Sequence, residues 1–112
     1  MQAWYDAAFD REMGCTEADL RSVLPGALRD ATLRWSASGV EADFSASDRA
    51  GSNAKPVTGG RLTLHWSTLP PRRIALMSMP RLAVSFRFDG LADADRQRVM
   101  RYFDLYTQRG GG

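Results

Sequence analysis

Between Gly60 and Ser67 apolar and polar side chains alternate without interruption, with Leu62, Leu64 and Trp66 in one phase and Arg61, Thr63, His65 and Ser67 in the other. A period of two sends the two sets to opposite faces, so this segment predicts a half-buried strand. The same period places Leu33 and Trp35 against Arg34 and Ser36, and Val40, Ala42 and Phe44 against Glu41 and Asp43. Two more strands follow, joined by a turn or bulge near Ser38-Gly39. Leu69-Pro70-Pro71-Arg72 reads as a break, Ile74 to Met79 as a short apolar strand, and Pro80 as a turn or irregularity before the alternating Leu82, Val84, Phe86 and Phe88. Asp89-Gly90 closes the series.

Helical spacing governs both ends of the chain. Trp4 with Ala8 and Tyr5 with Phe9 make an apolar stripe that predicts a short helix over Gln2 to Met13, ended by Gly14. Thr16 is a good N-cap and Asp19, three positions on, completes a capping-box pattern for a second short helix with Leu20, Val23 and Leu24 inward. Pro25-Gly26 should stop or redirect it. Ala92 to Gln108 predicts the longest helix, with Val99, Met100, Phe103 and Tyr106 inward, Asp93, Gln97, Arg101, Asp104 and Gln108 outward, and Leu105 off the stripe.

The fold class is therefore α+β: an antiparallel β-meander of four to five strands packed against a C-terminal amphipathic helix, with two short N-terminal helices. One domain covers 1–112, divided into a helical region 1–30, a sheet 31–90, a helix 91–109 and a flexible tail 110–112. Within the sheet region, 46–58 is Ser, Asp, Gly, Asn, Lys and Pro with little to bury, which predicts a long mobile loop.

Composition sharpens this reading in three respects. At 112 residues, 44% apolar and 25% charged, the chain suits one core that needs no staple. A single cysteine, Cys15, permits neither an internal disulfide nor a Cys-based zinc site, which suits a reducing cytoplasm. The first residues have no basic flank or apolar run, and no segment reaches the ~20 apolar residues of a membrane span. A cytoplasmic protein with no membrane partner is expected.

Charge is segregated. Residues 1–48 hold nine acids and four bases, residues 49–112 eleven bases and four acids, and from Arg49 to Phe88 there is no carboxylate. Strand phase would gather Arg61, Arg81 and Arg87, with Arg34 and His65, on one face. Arg61, Arg72, Arg73, Arg81 and Arg87 are the candidate residues for binding an anionic partner through forked hydrogen bonds. An acidic protein surface or a nucleic-acid backbone would serve, and the acidic first third of a second copy makes self-association a rival. Val84-Ser85-Phe86-Arg87-Phe88 superficially suggests the aromatic strand of an RNA-recognition motif, but that motif's glycine spacing is absent. Its aromatics share the aliphatic phase, so Trp35, Trp66, Phe86 and Phe88 are expected in the core, away from bases.

Other chemistry has thinner support. Arg109-Gly110-Gly111-Gly112 resembles, over its last residues, the ends of ubiquitin-like and sulfur-carrier proteins, which implies activation at Gly112; a helix-ending glycine followed by a frayed end explains it equally. Cys15 and His65, each the only one of its kind, would have to meet in a cleft to form a nucleophile pair, and a helix start beside Cys15 would lower its thiol pKa. Glu41 and Asp43, with Asp48, could hold a hard cation but lack a ligand loop. No catalytic residue, metal or cofactor is assigned. The expected function is a small non-enzymatic interaction or accessory module, with a carrier activated at Gly112 and a Cys15/His65 enzyme as alternatives.

Overall fold

The computed structural model describes residues 5–29, 31–44 and 59–109. In chain order the elements are β1 (Ala8–Met13), α1 (Glu17–Ala27), β2 (Thr32–Ser36), β3 (Gly39–Asp43), β4 (Arg61–Ile74), β5 (Met77–Asp89) and α2 (Asp93–Arg109). The strands form one antiparallel sheet in the order β1-β5-β4-β3-β2. The architecture is α+β, with a five-stranded sheet and a C-terminal helix, as the periodicity predicts.

Alternation decides which face is covered. Val40, Ala42, Leu62, Leu64, Trp66, Leu82, Val84 and Phe86 are buried on one side, where they join Leu20 and Leu24 of α1 and Val99, Met100 and Phe103 of α2 in one core. The opposite face carries the polar phase. Register aligns Ala8, Arg87, Thr63, Glu41 and Arg34 across all five strands, and beside that row Asp10, Ser85, His65, Gly39 and Ser36. Thr16 caps α1 through the expected reciprocal bonds with Asp19.

The first predicted helix is instead a strand: within the described part of Gln2 to Met13, Ala8–Met13 is β1, paired along β5. Phe9, Arg11 and Met13 alternate with Ala8, Asp10 and Glu12, but the charge on Arg11 hides the period of two. That guanidinium lies 5.5 Å from the Phe9 ring centroid and 5.2 Å from that of Phe86, and its partner Asp104 stands on α2. Tertiary pairing outweighs the local helical spacing, as Phe9 stacks on Phe86 at 4.7 Å.

Pro25-Gly26 stands just before the end of α1, and Pro80 lies opposite a bulge, the irregularity expected of it. α1 continues through Pro25 to Ala27. At Leu69-Pro70-Pro71-Arg72, β4 does not break; register passes from Leu69↔Arg81 to Arg72↔Met79, so Pro70 and Pro71 face Pro80 across a bulge, where no proline N–H is needed. Ile74 to Met79 is not a separate strand but the tip of a long β4–β5 hairpin turning at Ala75 and Leu76. Gln97, expected outward, is buried because it brackets the Tyr5 backbone, accepting from its N–H at 3.0 Å and donating to its carbonyl at 2.8 Å. Trp35 and Tyr106, expected in the core, are partly exposed at its rim. Leu105 is exposed as expected. The predicted loop 46–58 and tail 110–112 lie outside the described residues.

Candidate interaction arm

β4 and β5 outgrow their neighbours. β3 pairs with β4 only as far as Gly39↔His65, with one more bond from the Trp66 N–H to the Ser38 carbonyl, and β1 pairs with β5 only as far as Met13↔Leu82. Beyond these points the hairpin continues as a two-stranded arm, with every residue from Pro70 to Pro80 exposed. The bulge adds one residue to β4 and so reverses its phase. Arg72 and Ile74 thereby join Met77, Met79 and Arg81 on the polar-face side, while Arg73 and Ser78 lie on the other.

The arm's composition is unusual for a solvated hairpin. Ile74, Met77 and Met79 are 55%, 65% and 44% exposed, and Leu76 at the turn is fully exposed. Ala75 adopts φ 54°, a conformation that two-residue turns ordinarily give to glycine or asparagine, and that costs a Cβ-bearing residue about 1 kcal/mol. The apex thus carries apolar side chains where turn chemistry favours Asn-Gly.

Its base is braced by an acid from the opposite end of the chain. Glu12 on β1 takes Arg81 at 3.0 Å and Arg72 at 3.8 Å, and Arg81 Nε donates to the Pro70 carbonyl at 2.9 Å, which ties both sides of the bulge together. Arg73 makes no ion pair among the described residues.

The five candidate arginines divide into two groups. Arg72, Arg73 and Arg81 belong to the arm, whereas Arg61 and Arg87 lie near the far end of the same strands, where Arg61 faces Asp89. Arg61 contacts Glu41 at 3.3 Å, and Glu41 also takes Arg34 at 3.8 Å. Strand pairing brings Asp10, Glu12, Glu41, Asp43 and Asp89 onto the same open face, so that face carries both signs of charge. Sequence reasoning missed the exposed apolar apex. Its signal was present in Ile74-Ala75-Leu76-Met77, an apolar run enclosed by arginines and prolines with no turn-forming glycine.

The remaining candidates do not assemble into a catalytic site. His65 is exposed on the open face, while Cys15 packs against the core on the helical side. Burial, reinforced by the nearby Asp19 charge, pushes the Cys15 thiol above its ordinary range, so desolvation outweighs the helix start. Glu17 accepts from the Trp66 indole at 3.1 Å and from Arg21 Nε at 3.1 Å; these bonds, the indole's first, lower its pKa. Among the described residues no His, Cys, Asp and Glu group is arranged to hold a metal, and no helix is long and apolar enough to cross a membrane. Comparison with known protein families, characterised proteins and solved structures finds no match.

Proposed function

We propose that this chain is a non-enzymatic accessory module that docks through the β4–β5 arm onto an anionic partner. Arg72 and Arg73 make the contact, Arg81 braces the arm against Glu12, and Arg61 and Arg87 extend a weaker positive contribution along the open face. The supporting observation is the concentration of exposed apolar groups beside these bases. Of the seven large hydrophobic residues exposed among those described, four fall between Ile74 and Met79. Contiguous exposed apolar groups mark interaction sites more often than scattered ones.

A bare nucleic-acid backbone would satisfy the arginines and leave Ile74, Leu76, Met77 and Met79 without a counterpart. The partner therefore offers apolar as well as anionic groups. A cytoplasmic setting fits the lone free thiol. Retention on immobilised poly-glutamate at low ionic strength tests the electrostatic half: the wild type should bind, release with rising salt, and lose binding in R72A/R73A. Absence of binding at low salt, or binding indifferent to salt, would remove the basis of the proposal.

A further inference from the structure

We infer that the anionic partner is the phospholipid interface of a membrane, with the apex Ile74 to Met77 entering among the headgroups while Arg72 and Arg73 engage their phosphates. This rests on the anionic-partner reading and names the partner's class; it departs from the expectation of no membrane partner, since the lack of a helix able to cross a bilayer among the described residues does not bear on binding at its surface. The argument begins with depth. Leu76 stands at the turn, fully exposed, with Ile74 and Met77 beside it, and the arginines come next along β4. At ~3.3 Å per strand residue the apex reaches roughly 7 to 10 Å beyond them. An interfacial element buries its apolar part about 5–10 Å, at the boundary between headgroups and acyl chains. The order of side chains along the arm thus matches the order of layers in an anionic leaflet, and the arm itself carries no carboxylate, Glu12 standing behind it at the base.

Other occupants fit less well. Strand addition to the arm is hindered on both sides, since Pro70 and Pro71 on β4 and Pro80 on β5 withhold ladder N–H groups. Two arms meeting face to face would oppose Arg72 and Arg81 of one copy to their counterparts, with carboxylate compensation only from Glu12 at the base. A protein groove would read one face of the ribbon, yet the uninterrupted apolar run lies across its end, where Ala75 keeps a positive φ to turn the chain without a polar residue. A bilayer interface needs no preformed complement to a convex tip.

Co-sedimentation with vesicles of equal parts phosphatidylglycerol and phosphatidylcholine tests this, with pure phosphatidylcholine vesicles and poly-glutamate resin in parallel. The wild type should sediment with the anionic vesicles, remain free of the zwitterionic ones, and release on adding salt. R72A/R73A should partition about 25-fold less, at about five-fold per arginine near an anionic surface. L76S/M77S, and likewise L76Q/M77Q, which leave the charge unchanged, should lose the vesicles while keeping the resin; both alter exposed positions only, and unchanged circular dichroism confirms their fold. Vesicle binding that ignores the apex substitutions would be surface adsorption and would overturn insertion, leaving the anionic-partner reading intact. Binding to poly-glutamate but not to anionic vesicles would overturn the membrane in favour of an acidic protein. Binding to neither would overturn both.

Discussion

Replacing Asp104 by alanine should destabilise the fold by about 2–3 kcal/mol, because one carboxylate ties β1 to α2 through two partners. Its Oδ1 accepts from Arg11 at 2.6 Å and its Oδ2 from the Tyr5 hydroxyl. The Arg11 and Asp104 side chains are 29% and 21% exposed, between the surface pairs worth ~0–1 kcal/mol and the buried ones whose breakage costs ~3–5 kcal/mol. About 2 kcal/mol follows for the stranded guanidinium, with up to ~1 kcal/mol more for the lost tyrosine bond. Arg11→Met removes the charge and keeps an apolar stem over Phe9 and Phe86. R11M/D104A should therefore cost at least ~1 kcal/mol less than the sum of its single changes. Urea unfolding of the four proteins at neutral pH provides the cycle. Additive costs would refute the claim that the ion pair, and not independent packing, fastens β1. The neighbouring Glu12 faces the other way and braces the arm, so the same substitution should speed amide exchange near Arg81.

Acid should weaken the protein partly through Glu17. Its pKa is lowered, so its contribution is present above the ordinary carboxylate pKa and lost as pH falls through the folded value; E17Q should flatten the acid limb of urea midpoint against pH, and an unchanged slope would contradict this. Cys15 should alkylate with iodoacetamide more slowly than a free thiol at neutral pH, with the rate rising through a midpoint above the ordinary thiol pKa. Ala75→Gly should raise stability by about 0.5–1 kcal/mol by relieving the positive φ, measured as a higher unfolding midpoint; a lower one would show that Ala75 is not strained.

Legibility followed how local each signal was. The capping box at Thr16 and the stripe of Val99, Met100 and Phe103 need only their own neighbourhood, and both stand where their spacing puts them. β1 was illegible because its inward face includes Arg11, whose charge is neutralised by Asp104 on α2, far along the chain. Gln97 was misread for the same reason, since its partner is the backbone at Tyr5. The prolines misled in a different way. Pro70, Pro71 and Pro80 each forbid a regular ladder position, but a bulge that sets two of them against the third removes the conflict. A reading that treats each proline separately counts breaks where the pair of strands has only one irregularity.

The segregation of charge acquires its meaning from strand order. β4 and β5, within the acid-free stretch except for Asp89 at the end of β5, pair with each other and are flanked by β3 and β1 from the acidic residues 1–48. Antiparallel pairing therefore sets Glu41 diagonally across from Arg61 and Glu12 diagonally across from Arg81, and a chain polarised along its length becomes a face that is mixed in space. Compensation of this kind extends only as far as the flanking strands. β1 has six residues and β3 has five, whereas β4 and β5 have fourteen and thirteen. Where the central pair outgrows its neighbours, Glu12 at the base is the last carboxylate the register supplies, and Arg73 has no ion pair among the described residues. The excess length thus places uncompensated positive charge and exposed apolar groups on the same projection. Shortening the hairpin would remove both together while sparing every buried residue of the sheet, which makes the arm separable from the core that carries it.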